Sequence, residues 1–327
     1  MNAIHIVNPF RNPFGGSEQR ALMLYEQLRD HAEVRLWSLA DADPHYAERY
    51  PISPLEAAGP SWPQGGTFVI VGAYFKAETI FPQLRPRRLI YVYNTPSPNF
   101  FRERLDMVRH YAGVEPEIVY ASEEGAREIG LPGRVEASPI DLERFHPRRR
   151  SEVSRPGGGL VLGRMSRDAL QKHHPGDLAV YREALQRGWS LRLMGATCLQ
   201  KAFAVAGEAE PLLLPCGAEA PERFLAALDC FYYRVSESWT EAFGRVVLEA
   251  MATGLPVVCD RRVGAARIIE DGIDGFVTTG AGESLAVLQR LRDDVKLRAE
   301  IGGAARRKAE EIYSTAYEEE LVAFYTR

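Results

Sequence analysis

Two carboxylates that lie eight residues apart, Glu241 and Glu249, are the residues of this chain best placed by type and spacing to hold a ligand. Glu249 lies inside an apolar run, where an unpaired charge is costly to bury, so it needs a hydrogen-bond donor as a partner. A polyhydroxylated ligand supplies such donors. If both residues were helical, they would lie roughly 80° apart around the axis, on different faces.

The elements around these carboxylates explain how both can serve one ligand. The pattern predicts a buried strand over residues 231–235, a loop, and a helix over residues 244–252 that ends near residues 254–256. Glu241 then lies in the loop and Glu249 in the second turn of the helix, so they can hold two ends of one molecule. The amide groups at the helix start favour an anion. A sugar on Glu241, a phosphate at the helix start and a ribose on Glu249 would fit this arrangement.

This segment resembles the Glu-x7-Glu signature of retaining GT-B glycosyltransferases of the family four type. In that family the first Glu holds hydroxyls of the donor sugar and the second holds ribose hydroxyls. The resemblance therefore implies those roles for Glu241 and Glu249. The matching residues are Glu241, Phe243, Gly244, Glu249, Ala250, Gly254 and Pro256, with residues 263–264, 269–272 and 275–277. Ala242, Phe243 and Gly244 would complete the donor pocket. The alternative is an amphipathic helix with one exposed and one capping Glu.

A second motif, Gly163-Arg164 followed by Lys172, stands at the end of a predicted strand. It resembles the Gly-Arg…Lys element of the same family, whose Arg and Lys hold the donor diphosphate. Cations at this place neutralise the charge that develops on the leaving nucleotide. The spacing between Arg164 and Lys172 is longer than usual in the family, so Arg167 is an alternative to Lys172. A pair of surface cations at a strand end is the non-functional alternative.

Two glycine motifs are further candidates for the donor pocket. Gly15-Gly16, between the first strand and the first helix, allows close backbone approach and offers amide groups to a phosphate or sugar. It resembles the Gly-Gly loop of the family. Gly217 follows a predicted strand over residues 212–214 and is expected to border the nucleotide base. The sequence contains no Gly-x-Gly-x-x-Gly dinucleotide fingerprint.

The segment over residues 91–102 ends another predicted strand, where the resemblance places the acceptor. Relatives often carry a His near this point, whereas this chain has Asn94, which cannot act as a base. Asn94 is compatible with a retaining mechanism in which the donor's own phosphate takes the acceptor proton. Arg102 and Arg104 are candidate contacts to a saccharide or a lipid phosphate. Core packing is the alternative explanation for the aromatic residues of this segment.

The sequence predicts no metal site and no cofactor, only a nucleotide-sugar co-substrate that the resemblance suggests is UDP-linked. Asp41-Ala42-Asp43 matches an Asp-x-Asp motif superficially but lies in a polar loop. His173-His174 has no accompanying Cys or carboxylate cluster. The cysteines contain no Cys-x-x-Cys pair and are expected to be reduced; they are Cys198, Cys216, Cys230 and Cys259.

Composition narrows the class of protein. The chain has 327 residues, 46% hydrophobic and 26% charged, with a formal net charge of −4. This length suits two domains of ~150 residues, and this charge does not suggest bulk nucleic-acid binding. No apolar stretch approaches the ~18 residues of a membrane span. Residues 3–7 read directly as a strand, so we expect no signal peptide and a cytoplasmic protein.

Strand-like apolar runs alternate with helical stretches, which predicts an α/β protein with parallel sheets covered on both faces. In the first half of the chain the predicted strands are residues 3–7, 34–39, 67–71, 89–93 and 118–121. The predicted architecture is GT-B, with two Rossmann-like domains whose sheets face a central cleft. The polar, Pro/Gly-rich stretch over residues 146–159 suggests an interdomain linker. We therefore expect an acceptor-side domain over residues 1–150 and a nucleotide-sugar-binding domain over residues 151–311. The sequence also predicts a terminal helical stretch over residues 304–324, and the resemblance implies that the part from about residue 312 to 327 packs back on the first domain.

The sequence thus predicts a retaining, metal-independent glycosyltransferase. Its implied donors are UDP-sugars, with GDP-mannose next, and its acceptor is a glycan or glycolipid in surface polysaccharide or lipopolysaccharide synthesis. A peripheral contact with the inner face of a membrane stays open, and no nucleic-acid partner is expected. Three alternatives remain: a GT-B sugar phosphorylase, a nucleotide-sugar epimerase, and a degenerate GT-B subunit that supports a partner transferase.

Overall fold

The computed structural model describes residues 3–39, 41–55, 62–72, 77–94, 97–147, 159–204, 210–239 and 241–327. The chain divides into two compact units. The first unit comprises Met1–Pro139 and Ser314–Arg327, and the second comprises Ile140–Tyr313. Most of the predicted linker (residues 148–158), together with Thr95, Pro96 and Thr240, lies outside the described residues.

The division between the units falls earlier than the predicted boundary at residue 150. The segment from Ile140 onwards belongs to the second unit. Arg306 explains this, because its Nη1 donates to the carbonyl of Phe145 at 2.6 Å and to the carbonyl of Ala252 at 2.8 Å. The side chains of Ile140 and Phe145 are also buried.

The first unit contains a parallel sheet with the strand order β3-β2-β1-β4-β5-β6-β7. Its strands are β1 (Ile4–Asn8), β2 (Val34–Ser38), β3 (Ile52–Pro54), β4 (Thr67–Val71), β5 (Arg88–Tyr93), β6 (Glu117–Tyr120) and β7 (Arg134–Val135). The short strands β3 and β7 were not predicted. Both lie at sheet edges, where a strand pairs on one side only, and neither has the apolar run of a central strand.

Alternation along the central strands explains their apolar sequences. Phe68 and Ile70 of β4 belong to the core on one face of the sheet, whereas Val69 and Val71 belong to the core on the other. Successive side chains of a strand point to opposite faces, so a strand covered on both sides must be apolar throughout. The described residues of the first sheet therefore form a doubly covered layer, as the alternation of strands and helices predicts.

The helices of the first unit are α1 (Gly16–Leu28), α2 (Pro44–Ala47), α3 (Ala77–Leu84), α4 (Pro98–Ala112) and α5 (Glu123–Ile129). The prediction treated the segment up to residue 102 as a strand end with aromatic residues. In the structure α4 begins within it, with Ser97 as the N-cap residue and Pro98 at the first helical position. Proline favours that position because its fixed φ suits a helix and its missing N–H costs no hydrogen bond there.

The second unit contains a parallel sheet with the strand order β10-β9-β8-β11-β12-β13. Its strands are β8 (Val161–Met165), β9 (Ser190–Met194), β10 (Leu212–Leu214), β11 (Cys230–Tyr233), β12 (Val257–Asp260) and β13 (Phe276–Thr278). Its helices are α6 (Asp177–Gln186), α7 (Gln200–Phe203), α8 (Pro221–Ala226), α9 (Arg245–Ala252), α10 (Ala281–Asp293) and α11 (Val295–Ile312). Strand order reverses between β8 and β11, the place where open α/β sheets bind ligands at their carboxyl edge.

The C-terminal segment is two helices where the sequence predicts one helical stretch. α11 ends at Ile312, and α12 (Thr315–Thr326) begins after Ser314, whose side chain accepts a hydrogen bond from the Tyr317 amide. Serine at an N-cap starts a new helix because its oxygen satisfies an otherwise unpaired amide. α12 belongs to the first unit. No helix in the described ranges is both long and apolar enough to cross a membrane.

Candidate functional site

Lys172 and Glu241 form an ion pair at the carboxyl edge of the second sheet, between Nζ and Oε2. Lys172 ends a short 3-10 turn over Leu170–Lys172, and Glu241 lies in the loop between β11 and α9. Their side chains are only 10% and 16% exposed. Burial lowers the pKa of Lys172, and Glu241 opposes that shift. The site therefore contains a cation and an anion that are both largely removed from water.

Tyr233, the last residue of β11, also binds Glu241. Its hydroxyl donates to Oε2 of Glu241 at 2.9 Å, so this oxygen receives both the phenol and the ammonium group. Trp239 also contacts the ammonium group, with its ring centre 4.8 Å from Nζ of Lys172. A cation over an indole face is electrostatically favourable. Lys172 is therefore held between a carboxylate and an aromatic ring.

The backbone of Glu241 is fixed by an extended contact with the loop after β12. Its carbonyl accepts from the amide of Gly264 at 3.1 Å, and the carbonyl of Phe243 accepts from the amide of Ala265. Gly264 permits this approach, because a Cβ added there would lie 2.2 Å from the carbonyl oxygen of Ala242. The loop that presents Glu241, Ala242 and Phe243 is thus anchored by main-chain hydrogen bonds.

Arg164, which the resemblance assigns to the donor diphosphate, lies beneath the loop that carries Lys172. Its side chain is fully buried near the end of β8 and lies 4.7 Å from the ring centre of Tyr233. Nη1 donates to the carbonyl of Arg234 at 2.8 Å, and Nη2 donates to the carbonyl of Lys172. Since the guanidinium group is directed at these carbonyls, Arg164 fixes the backbone of Lys172. Arg167, the alternative cation, lies 5.6 Å from the ring centre of Trp239.

Helix α9 carries the second carboxylate. Gly244, its N-cap residue, has φ of 83°, and an added Cβ would lie 2.6 Å from Cγ1 of Val263, so only glycine fits without strain. Without a side chain, Gly244 cannot cap the first amides of the helix. Oε1 of Glu249 accepts from Nε of Arg245 at 2.8 Å, one helical turn away. Glu249 is nearly buried and paired, as the cost of burying a charge requires.

A network of buried, charged side chains connects the segments that carry the site. Arg234 donates to Asp177 at the start of α6 (2.8 Å) and to Asp260 at the end of β12 (3.2 Å). Burial alone would raise the pKa of Asp260, but hydrogen bonds from Arg262 bring it below its ordinary value. The network ties the ends of β11 and β12 to α6, so the residues that follow these strands have a rigid base. Its members lie far apart in the chain, so no local motif indicates it.

The remaining donor candidates have different surroundings. Gly163 faces the core, since a Cβ there would lie 2.4 Å from Cδ2 of Leu228. Gly217 has φ of 77° and forms an exposed turn after β10. Gly15 and Gly16 lie at the start of α1 in the first unit: an added Cβ on Gly15 would meet Glu18, whereas Gly16 has nothing within 4 Å.

The acceptor-side candidates also lie in the first unit. Asn94 follows β5 directly and is half-buried. Arg102 lies on α4, and its Nη2 donates to the carbonyl of Glu128 at 2.7 Å, at the C-terminal end of α5. Cationic side chains stabilise the free carbonyls at a helix end. The contacts of Arg102 thus connect two helices of the same unit.

The residues weighed as metal ligands have other partners or surroundings. Oδ1 of Asp43 caps α2 by accepting from the amide of His45. His173 is buried, with Nε2 2.9 Å from the carbonyl oxygen of Gly195, and burial lowers its pKa to about 3. The described ranges contain no group of three or more His, Cys, Asp or Glu side chains suited to a metal ion. All four cysteines are free, and burial raises the pKa of Cys198 and Cys216 to about 11.

Sequence reasoning missed Tyr233 as a site residue. The feature that identifies it is its place: a hydroxyl at the carboxyl end of an otherwise buried strand, Cys-Phe-Tyr-Tyr, just before the loop that carries Glu241. Ligands of open α/β sheets bind at that edge. Trp239 lies in the loop that the sequence predicts after this strand, and its contact with Lys172 depends on the neighbouring strand β8.

The residues of this site lie within a segment of the chain that matches a family model. Residues 160–294 match the family model described as Glycosyl transferases group 1, and this segment includes Arg164, Lys172, Tyr233, Glu241 and Glu249. A D-inositol 3-phosphate glycosyltransferase of Arthrobacter sp. (strain FB24) is 44% identical over 73 residues, covering 22% of this chain and 17% of that protein. Another, from Corynebacterium kroppenstedtii, is 29% identical over 214 residues, covering 61% of this chain and 43% of that protein. The chain thus spans less than half the length of these curated relatives.

Solved structures extend the similarity to the whole fold. The crystal structure of Anabaena Alr3699/HepE in complex with UDP-glucose has a TM-score of 0.77 and 16% sequence identity, and it covers 100% of both chains. The fold is therefore GT-B, with two parallel-sheet α/β domains, as the sequence predicts.

Proposed function

We propose that this protein is a retaining, metal-independent glycosyltransferase that transfers a sugar from a nucleotide diphosphate sugar to a glycan or glycolipid. One observation carries the proposal. Lys172 and Glu241 come together at the carboxyl edge of the second sheet, within the segment that matches Glycosyl transferases group 1. A cation for phosphate and a carboxylate for hydroxyls, side by side, suit a sugar linked to a diphosphate.

The roles follow from the chemistry of each side chain. Lys172 would bind the diphosphate and neutralise the charge that develops on the leaving nucleotide. Glu241 would accept hydrogen bonds from the donor sugar, and Glu249 would accept them from the ribose. The start of α9, where Gly244 leaves the amides uncapped, would favour the phosphates. Arg164, which fixes the backbone carbonyl of Lys172, would add positive charge for the diphosphate.

The ion pair must exchange partners when a donor binds. In the structure, Lys172 and Glu241 pair with each other. A diphosphate offers the ammonium group a stronger anion, and sugar hydroxyls offer new donors to the carboxylate. The pair therefore keeps two buried charges compensated until the donor replaces each partner.

UDP-sugars are the favoured donors in this proposal, with GDP-mannose next. The protein from Anabaena with the same fold was crystallised with UDP-glucose, which supports this order. The retaining course rests on the resemblance of the Glu-x7-Glu segment, and it suits Asn94, which cannot serve as a base. A role in surface polysaccharide or lipopolysaccharide synthesis, in the cytoplasm and with peripheral membrane contact, completes the proposal.

Thermal stability with added nucleotides tests the donor site. UDP, GDP, ADP, dTDP and CMP are compared on the wild-type protein and on Glu249→Ala. A nucleotide present at 100 times its dissociation constant adds about 2.7 kcal/mol to the free energy of unfolding. We expect UDP to stand out and its effect to fall in the variant. The absence of any response would contradict the proposal and favour a subunit that only supports a partner.

Nucleotide release tests the reaction class. The protein is incubated with UDP-glucose, UDP-N-acetylglucosamine and GDP-mannose, with and without a mixture of glycan and glycolipid acceptors. Release of the nucleoside diphosphate that increases with acceptor supports transfer. Release that requires inorganic phosphate would indicate a phosphorylase, and conversion of the sugar without acceptor would indicate an epimerase.

A further inference from the structure

Tyr233 is positioned to hold one carboxylate oxygen of Glu241. It is 2% exposed, the guanidinium group of Arg164 lies 4.7 Å from its ring centre, and the ring of Phe231 is stacked against it with centroids 6.0 Å apart. Its main chain pairs with Cys259 of β12. From this rigid base the hydroxyl donates to Oε2 of Glu241 at 2.9 Å. A phenol has a single O–H to donate, so this hydrogen bond uses its whole donor capacity.

The two side-chain hydrogen bonds of Glu241 within the described ranges both end on Oε2. A carboxylate has two oxygens and about four acceptor positions, so Oε1 keeps the capacity to accept from a ligand. Burial raises the pKa of Tyr233 well above its ordinary value, and the phenol therefore stays protonated and donating at neutral pH. One oxygen is thus committed to the protein while the other can face a sugar hydroxyl.

The two donors to Oε2 differ in what happens when a donor binds. Lys172 is a cation on a flexible four-carbon stem, and a diphosphate competes with Glu241 for it. Tyr233 is enclosed in the sheet and offers no charge to a phosphate. After Lys172 has moved to the diphosphate, the phenol is the protein group that still fixes the direction of the Glu241 carboxylate.

We propose that Tyr233 is a positioning residue of the donor site, which keeps Glu241 aimed at the sugar after Lys172 turns to the diphosphate. This inference rests on the proposed function and adds a residue to it. In this proposal Tyr233 contributes to binding of the sugar, whereas Lys172 and Glu249 bind the nucleotide part of the donor.

The experiment compares Tyr233→Phe with Tyr232→Phe. Both tyrosines lie in β11, both are buried, and each donates its hydroxyl to a carboxylate: Tyr232 binds Asp177 at 2.7 Å. Only Tyr233 binds Glu241. The dissociation constants of UDP and of UDP-glucose are measured for the wild type and both variants, with kcat and KM for nucleotide release. Loss of a hydrogen bond to a charged group predicts about a tenfold fall in kcat/KM for UDP-glucose in Tyr233→Phe.

The ratio of the affinities for UDP-glucose and UDP distinguishes a positioning role of Tyr233 from a general disturbance of the donor site. We expect Tyr233→Phe to bind UDP within twofold of the wild type while its preference for UDP-glucose over UDP falls about tenfold. Tyr232→Phe should keep the wild-type ratio even if its melting temperature is lower. The inference would be overturned if Tyr233→Phe left the ratio of the two affinities unchanged, including by weakening UDP and UDP-glucose equally. It would also be overturned if Tyr232→Phe lowered this ratio as much as Tyr233→Phe does.

A second variant keeps the test possible if Tyr233→Phe does not fold. 4-Aminophenylalanine at position 233 keeps the ring shape and an N–H donor, so it should restore most of the ratio lost in Tyr233→Phe. If only this variant folds, a ratio equal to that of the wild type supports the inference, and a ratio lowered tenfold overturns it. A wild-type protein that binds neither UDP nor UDP-glucose nor GDP-mannose would instead overturn the proposed function, and with it this inference.

Discussion

Lys172 and Glu241 are 69 residues apart in the chain, yet their charged groups are in direct contact at the edge of the second sheet. The contact exists because β11, which precedes Glu241, pairs in parallel with β8, which precedes Lys172. Their carboxyl ends therefore lie side by side, and the loops that follow bring the two charges together. This single pairing joins the two motifs that the sequence shows separately.

Replacing one member of this pair should cost stability. The Glu241 side chain is 16% exposed. In Lys172→Met its carboxylate keeps only the Tyr233 hydroxyl as a side-chain hydrogen-bond donor among the described residues. We expect the free energy of unfolding to fall by about 2 kcal/mol, because an uncompensated charge stays largely buried. The double variant Lys172→Met/Glu241→Gln should recover part of that loss. Urea unfolding of the wild type, Lys172→Met, Glu241→Gln and the double variant gives the coupling energy.

The exposed pair Lys296–Glu300 on α11 is the matched control, with side chains 87% and 61% exposed. The same replacements there should give a coupling below about 0.5 kcal/mol, since solvent screens such pairs. A coupling at Lys172–Glu241 no larger than at the control would show that the pair adds nothing to stability.

His173 should make the second unit sensitive to acid. Burial lowers its pKa to about 3, whereas an unfolded histidine titrates near 6.5. Between these values the unfolded chain binds a proton that the folded chain does not, so stability falls as pH decreases from about 6.5 to 3. The hydrogen bond from Nε2 to the Gly195 carbonyl opposes this shift in part, but burial outweighs it.

His173→Gln isolates this effect, because its amide can still donate to Gly195 but does not titrate. Denaturant unfolding at several pH values should show a shallower fall in stability for His173→Gln than for the wild type below pH 6.5. His31→Gln, at an exposed position, should follow the wild-type curve. Parallel curves for the wild type and His173→Gln would contradict the prediction. The fall that His5 contributes in the first unit, where burial lowers its pKa to about 4, stays in all three proteins.

Gly244→Ala should disturb the start of α9. Its φ of 83° strains any L-residue, and the new Cβ would lie 2.6 Å from Val263. We expect a loss of about 1–3 kcal/mol in unfolding free energy and weaker UDP binding. Gly280→Ala is the control: Gly280 is also an N-cap residue, before α10, but has an ordinary φ and nothing within 4 Å. Its cost should stay below about 1 kcal/mol. Equal losses in the two variants would refute the special geometry of Gly244.

Glu249 should discriminate between ribose and deoxyribose. If it accepts from ribose hydroxyls, the wild type should bind UDP roughly tenfold more tightly than 2′-deoxy-UDP, and Glu249→Ala should bind both equally. Calorimetric titration measures the four dissociation constants. Glu183→Ala removes a comparable Arg–Glu pair, with Arg187 on the exposed side of α6, and should keep the wild-type ratio. If the ratio of the affinities for UDP and 2′-deoxy-UDP is unchanged in Glu249→Ala, Glu249 does not bind the ribose as proposed.

The prediction from sequence was best where the evidence is local. The strand over Thr67–Val71 was predicted to the residue, because a doubly buried strand is a continuous apolar run with turn residues on both sides. The helix that carries Glu249 was predicted to within one residue, since Gly244 and Gly254 bound it. The break at Tyr313-Ser314 was missed, because helical periodicity continues across it and only the capping by Ser314 reveals the new start.

The sequence by itself determined the alternation of strands and helices, and it placed Glu241 before a helix and Glu249 within it. These features depend on side-chain periodicity and on residues that start or stop helices, which act over a few neighbours. Only the tertiary structure decided that Lys172 meets Glu241, that Arg164 turns inward to main-chain carbonyls, and that Tyr233 shares an oxygen with Lys172. These contacts depend on which strands are adjacent and on how buried charges find partners, and both are settled by the packing of segments distant in the chain.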